Sequence, residues 1–171
     1  MLDASLALPD SLRPGLDIVF VGTAAGRVSA ARGAYYAHPG NRFWRTLHEV
    51  GLTLSLVAPA DFETLLDLGI GFTDVAKFAS GMDHAIGRND YDVPSLTAKL
   101  ALHAPRAVAF TSKMAGSVWL GLPTRRIALG RQPSMPDRTF EVFVLSSPSG
   151  AAVSHWTIEP WRELSAWHRV R

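Results

Sequence analysis

The chain contains no cysteine, which excludes disulfides, thiolate nucleophiles and Cys-based zinc or iron–sulfur centres. Lysine is scarce: Lys77, Lys99 and Lys113 are the three present, and every other basic residue is arginine. Net charge is small as well, 17 basic side chains against 15 acidic ones, so no whole-molecule field draws the chain to polyanions. No apolar run approaches the ~20 residues that cross a bilayer, so no membrane partner is expected. Residues 1–15 lack the basic start and long apolar stretch of a secretory leader, which leaves the cytoplasm as the expected compartment. The 6 histidines are scattered, without H-x-x-x-H or histidine–carboxylate spacing, so neither a metal nor a cofactor is expected.

What is present is an ordinary globular composition, 171 residues with 47% hydrophobic and 19% charged. That length predicts one domain over 1–171, expected to be a monomer. The arginines are unevenly spread. Arg27, Arg32, Arg42 and Arg45 crowd one segment, and Arg125, Arg126, Arg131 and Arg138 another. Guanidinium groups match phosphate geometry, although a solvated surface explains such clusters equally well.

The hydrophobic pattern alternates between strand and helix. Strands are expected at 16–22, 106–111, 127–129 and 139–145, each a short apolar run, and 70–76 reads as a short strand or an extended loop. Helices are expected over 41–50, 62–68, 94–104, 112–120 and 159–170, with Asn41 as a cap and Gly51 and Gly69 as stops. Residues 23–40, 77–91 and 146–154 read as loops. This alternation predicts an α/β sandwich with a mostly parallel sheet. Ligands of such sheets bind beyond the carboxyl ends of the strands, where the loops at 22–40 and 146–154 are expected to meet.

The first of these loops opens Gly22-Thr23-Ala24-Ala25-Gly26. Its small residues permit close backbone approach to a ligand, but it is neither a P-loop nor G-x-G-x-x-G. No G-x-S-x-G elbow is present either, so a serine hydrolase is not indicated. The stretch that follows is more specific: Gly33-Ala34-Tyr35-Tyr36-Ala37-His38-Pro39-Gly40-Asn41-Arg42-Phe43-Trp44. It resembles the hallmark G-F-P-F-A-H-P-A-N-R-F-W of the mismatch-specific uracil/thymine-DNA glycosylases, within the uracil-DNA glycosylase superfamily. The preceding loop aligns without a gap onto that family's G-I-N-P-G motif. Ser147-Pro148-Ser149-Gly150-Ala151 is similar to its second motif, N-P-S-G-L, and the resemblance runs from about residue 12 to 168.

The resemblance implies a three-layer α/β/α sandwich around a four-stranded, mostly parallel sheet. It also implies a DNA glycosylase that flips a base out of DNA and hydrolyses its N-glycosidic bond. Chemistry of that kind needs an aromatic face for the extruded base, donors for its carbonyls, a polar group that places water, and phosphate contacts. By position in the motifs, Tyr36 would stack on the base. Gly22, Thr23, Ala24, His38, Asn41 and Ser112 would line its pocket, His38 by bracing the loop and Asn41 also as a helix cap. Lys113, Ser147, Ser149, Gly150, Ala151 and His155 would face DNA. Phe43 and Trp44 share a helical face with Leu47 and belong to the core.

Four positions depart from the family pattern: Ser147 replaces the leading Asn of the second motif, Val153 replaces an Arg that follows it, and two more bear on the chemistry. The Asn that orients water in G-I-N-P-G falls on Ala24, and the residue that fills the vacated base stack falls on Ala151. Asp74, where relatives place a base-reading Asn or Lys, is the candidate to supply the missing polar group. A carboxylate there can place water and face a cationic sugar. Uracil excision through Asp74 is the expectation. Its alternatives are a weakly active or inactive binder of uracil-bearing or abasic DNA, and a small-molecule nucleotide- or base-binding enzyme.

Overall fold

The computed structural model describes residues 7–81 and 86–170. Its sheet has five strands: β1 (Ile18–Gly22), β2 (Ile70–Asp74), β3 (Ala107–Phe110), β4 (Gly130–Arg131) and β5 (Glu141–Val144). Their order is β2-β1-β3-β5-β4. All neighbours are parallel except the β4–β5 pair, which is antiparallel.

Strand side chains alternate between faces, and here both faces are apolar. Ile18 and Phe20 of β1, Ala107 and Ala109 of β3, and Phe143 of β5 contribute to one core cluster. Val19 and Val21, Val108 and Phe110, and Val142 and Val144 contribute to a second. The helices divide accordingly. Phe43, Trp44 and Leu47 of α2 (Phe43–Glu49), with Trp161 and Leu164 of α5 (Glu159–Arg169), cover the first face. Leu96 and Leu100 of α3 (Val93–His103), with Ala115 of α4 (Lys113–Leu120), cover the second. A parallel sheet buried on both sides in this way reads as continuous apolar runs rather than alternation.

The sequence-based expectation holds for the α/β architecture and needs local correction. The sheet has five strands, as the hydrophobic pattern counts them with 70–76 included, where the resemblance implies four; the additional one is the edge strand β4. That strand lies at 130–131 rather than 127–129; Ile127 is instead a buried core residue. Residues 23–40 are not loop throughout, since Arg27–Arg32 form a short helix, α1, between Gly26 and a left-handed Gly33. The segment expected as a helix over 62–68 is a 3₁₀ turn, Pro59–Leu68, interrupted at Asp61. Helix 41–50 shortens to Phe43–Glu49: Arg42 takes the N-cap position, and the Asn41 side chain accepts from Phe43 N at 2.9 Å. Residues 82–85 of the expected loop 77–91 lie outside the described residues. Among the described residues no helix is long and apolar enough to cross a membrane.

Ahead of β1, the segment around Ser11 lies antiparallel against β2. Ser11 and Phe72 exchange backbone hydrogen bonds of 3.0 and 2.8 Å. This pairing sets Asp10 beside the outer edge of β2.

Candidate functional site

The carboxyl ends of the parallel strands open into a cleft of about 1020 Å³, the place this topology reserves for ligands. Strand β1 ends at Gly22 and β2 at Asp74, and the parallel register sets those two residues side by side. A methyl group on Gly22 would lie 2.6 Å from Asp74 Oδ1, 3.4 Å from the Tyr36 hydroxyl and 3.6 Å from Thr111 Oγ1. Glycine is required here by close approach. Those contacts also show that Asp74, Tyr36 and Thr111 converge on one point at the cleft floor. Gly22→Ala is therefore expected to displace the Asp74 carboxyl. The Asp74 carboxyl-carbon NMR signal of this variant checks the point: a shifted signal is expected, and an unmoved one would show that Asp74 tolerates the added methyl group.

Tyr35 and Tyr36 part at a backbone bend. Tyr36 has φ +52°, a left-handed conformation uncommon for a residue with an aromatic side chain. Tyr35 is buried and stacks on Phe72 with ring centroids 5.1 Å apart, while both tyrosines line the cleft wall and Tyr36 is the more exposed of the two. One Tyr36 face stacks on Phe43 at 4.0 Å and 15°, and its hydroxyl shares a 3.0 Å hydrogen bond with Thr111 Oγ1. The ring is thus held at both its face and its tip, a fixed platform at the cleft wall. Burial is the main reason its phenol pKa is raised, and the nearby Asp74 charge adds to the effect; the phenol stays neutral at ordinary pH.

Asp74 is 4% exposed. Burial pushes its carboxyl pKa up to about 6, against the lowering influence of Lys77, whose Nζ lies 3.6 Å from Oδ2. A buried carboxyl lining a cleft, with a pKa moved toward neutrality, is a marker of a reactive group.

The two loops named from sequence meet. Arg42 N donates to Pro148 O at 2.8 Å, and the Arg42 guanidinium reaches Ser149 O at 3.5 Å. The backbones of Gly40 and Gly150 are so close that a Cβ on Gly150 would sit 3.1 Å from Gly40 O. Beneath the second loop, Trp161 Nε1 donates to Ser146 O at 3.1 Å and ties the start of the loop to α5. Gly22, Thr23, Ala24, Tyr36, His38, Asn41, Asp74, Ser112, Ser147, Ser149, Gly150 and Ala151 all line the same cleft. His38 is exposed, and its Nδ1 accepts from Gly40 N at 2.9 Å, which braces the turn. Ser112 caps α4 by accepting from Ala115 N at 3.0 Å, and Ser149 caps the following turn through Ala151 N.

Lys113 and His155 are exposed and do not line the cleft. Lys113 opens α4, where its neighbour Met114 turns to the cleft instead. His155 closes the 3₁₀ turn Gly150–His155. Sequence reasoning passed over Thr111 and Met114, which do line the cleft, as does Arg27 of the first arginine cluster. Thr111 follows directly on β3, and a polar residue ending an apolar strand was the available signal. Among the described residues no group of three or more His, Cys, Asp or Glu side chains is arranged to hold a metal ion.

The cleft geometry can be set beside known proteins. The chain is similar to the solution NMR structure of a candidate uracil DNA glycosylase from Methanosarcina acetivorans, with a TM-score of 0.66 and 25% sequence identity over 95% of this chain and 94% of that one. The family model of the uracil DNA glycosylase superfamily matches residues 9–171. With a matching fold, and with both loops of the resemblance on one cleft, the chain belongs to the uracil DNA glycosylase superfamily.

Proposed function

We propose that this protein is a monofunctional DNA glycosylase that excises uracil, and other deaminated bases, and leaves an abasic site. The observation that carries the reading is the placement of the buried Asp74 carboxyl beside the Tyr36 platform at the floor of the cleft. A flipped base stacks on the exposed part of the Tyr36 ring. The glycosidic C1′–N bond then breaks with its electron pair leaving on the base. A water oxygen bonds to C1′, and Asp74 takes the proton of that water. As a carboxylate above pH about 6, Asp74 also faces the positive charge that develops on the sugar. The Ser147–Gly150 loop offers hydroxyl and amide donors to a DNA phosphate. Ala24 has no polar group for water, and Asp74 takes over that role.

A binder reading draws on the same two substitutions, Ala24 and the exposed, small Ala151. One experiment separates the two. Purified protein is incubated with oligonucleotides bearing a single uracil, hypoxanthine or xanthine, then treated with alkali. Strand scission at the lesion supports the glycosylase, whereas a gel shift without scission supports the binder. The hydrolytic route forms no Schiff base, so borohydride is expected to trap no protein–DNA adduct; a trapped adduct would contradict it.

A further inference from the structure

Beside Asp74 lies a set of charges that do not line the cleft and that the proposed reaction does not use. Lys77 Nζ is the centre of it. It lies 3.6 Å from Asp74 Oδ2, 3.1 Å from Asp10 Oδ1 and 3.0 Å from the Tyr35 hydroxyl, to which it donates. The Lys77 side chain is 10% exposed. Asp10 in turn is held by Lys99 Nζ at 2.6 Å and by the Thr73 hydroxyl at 2.6 Å. Asp10 belongs to the segment paired against β2, Lys99 to α3 and Lys77 to the chain after β2. Three separate parts of the fold thus meet beside one carboxyl.

We propose that Lys77 is a positioning residue, fixed by Asp10 and Tyr35, that holds the Asp74 carboxyl in place and in its ionised form. The inference rests on the reading of Asp74 as the group that handles water. A buried carboxylate with no cation near it neutralises itself by taking a proton, and a protonated Asp74 cannot accept one from water. The Lys77 ammonium supplies the cation without entering the cleft, where it would compete with the substrate. Asp10 works the other way: it anchors Lys77, and its negative charge opposes ionisation of Asp74. The other groups facing Asp74 are Lys99, which favours its ionised form, and the neutral phenols of Tyr35 and Tyr36.

Because the two residues act with opposite sign, their variants should move activity in opposite directions along the pH axis. The experiment measures single-turnover excision of uracil from an oligonucleotide between pH 5 and 9, together with Asp74 titration by carboxyl-carbon NMR in DNA-free protein. Lys77→Met is expected to shift the acid limb upward by about one pH unit or more, a loss of roughly tenfold near pH 6 that is recovered at high pH. Asp10→Asn is expected to shift it downward, and Lys77→Arg to leave it close to wild type. A uniform fall in rate at all pH values, or shifts of the same sign in both variants, would overturn the proposal. Should Lys77→Met not fold, Asp10→Asn decides alone: a downward shift supports the proposal and an unmoved limb overturns it. The NMR titration needs no substrate. Failure of the glycosylase reading, seen as no excision by the wild type, is therefore distinguishable from failure of the charge arrangement, seen as an unmoved Asp74 titration.

Discussion

Asp74→Asn is expected to abolish most of the activity and at the same time to stabilise the fold. On the activity side, a positioned acid–base group contributes about 10²–10⁴-fold, so single-turnover excision should fall by at least roughly 10²-fold. The asparagine amide keeps the size of the carboxyl and loses its proton-accepting charge. On the stability side, the Asp74 carboxyl has a folded-state pKa of about 6, raised from 3.8 chiefly by burial. A raised carboxyl pKa means that the folded protein binds the proton more tightly than the unfolded chain does. The associated stability is fully present below about pH 4 and is lost as pH rises through 6. At roughly 1.4 kcal/mol for each pKa unit, ionised Asp74 costs the fold about 2–3 kcal/mol at pH 8. Asparagine does not ionise, and Lys77 keeps Asp10 as a partner at 3.1 Å. The variant should therefore melt at nearly the wild-type temperature at pH 4 and several degrees higher at pH 8. Calorimetry at the two pH values reads the difference. A variant that is inactive and no more stable at pH 8 would mean that Asp74 is not strained by its burial.

The second large effect is expected at Tyr36. Tyr36→Ala removes the face available to a base and also the stack on Phe43. Base–aromatic stacking is worth about 1–3 kcal/mol per base, so affinity for uracil-bearing DNA should weaken roughly 5- to 150-fold. Tyr36→Phe keeps the ring and loses only the hydrogen bond to Thr111, and should stay within a few-fold of wild type. Fluorescence anisotropy with a labelled oligonucleotide measures both. If Ala and Phe bind alike, the ring is not the stacking platform.

The architecture was legible because both faces of the sheet are buried. Runs such as Ile18–Gly22 and Ala107–Phe110 are apolar throughout, and only a sheet covered on both sides needs that pattern. The misses have local causes. Arg27–Arg32 is barely two turns long and begins after a glycine without a side-chain cap, so the capping rules had nothing to register. Its alanines and the left-handed Gly33 were the signals present. Strand β4 is two residues long and exists through its pairing with β5, a tertiary contact that no local pattern encodes.

The site divides the same way. Residues carried by the two loop motifs line the cleft, because those motifs sit at the carboxyl ends of β1 and β5. Lys113 was named from a motif pair with Ser112 and His155 from its place after the second loop; both are exposed and lie outside the cleft lining. Asp10 and Lys77 were passed over for the opposite reason. Asp10 is 64 residues from Asp74 in the chain and reaches it through the backbone pairing of Ser11 with Phe72. Lys77 stands in a polar stretch that reads as solvated surface, and only the fold turns its ammonium inward between two carboxylates.

The most direct test of the account is the release of free uracil from a single-uracil oligonucleotide, followed by mass spectrometry, with wild-type protein and Asp74→Asn in excess over DNA. The account predicts release by the wild type at neutral pH and a rate lower by at least roughly 10²-fold in the variant. Equal rates in the two proteins, or DNA left intact by the wild type, would contradict it.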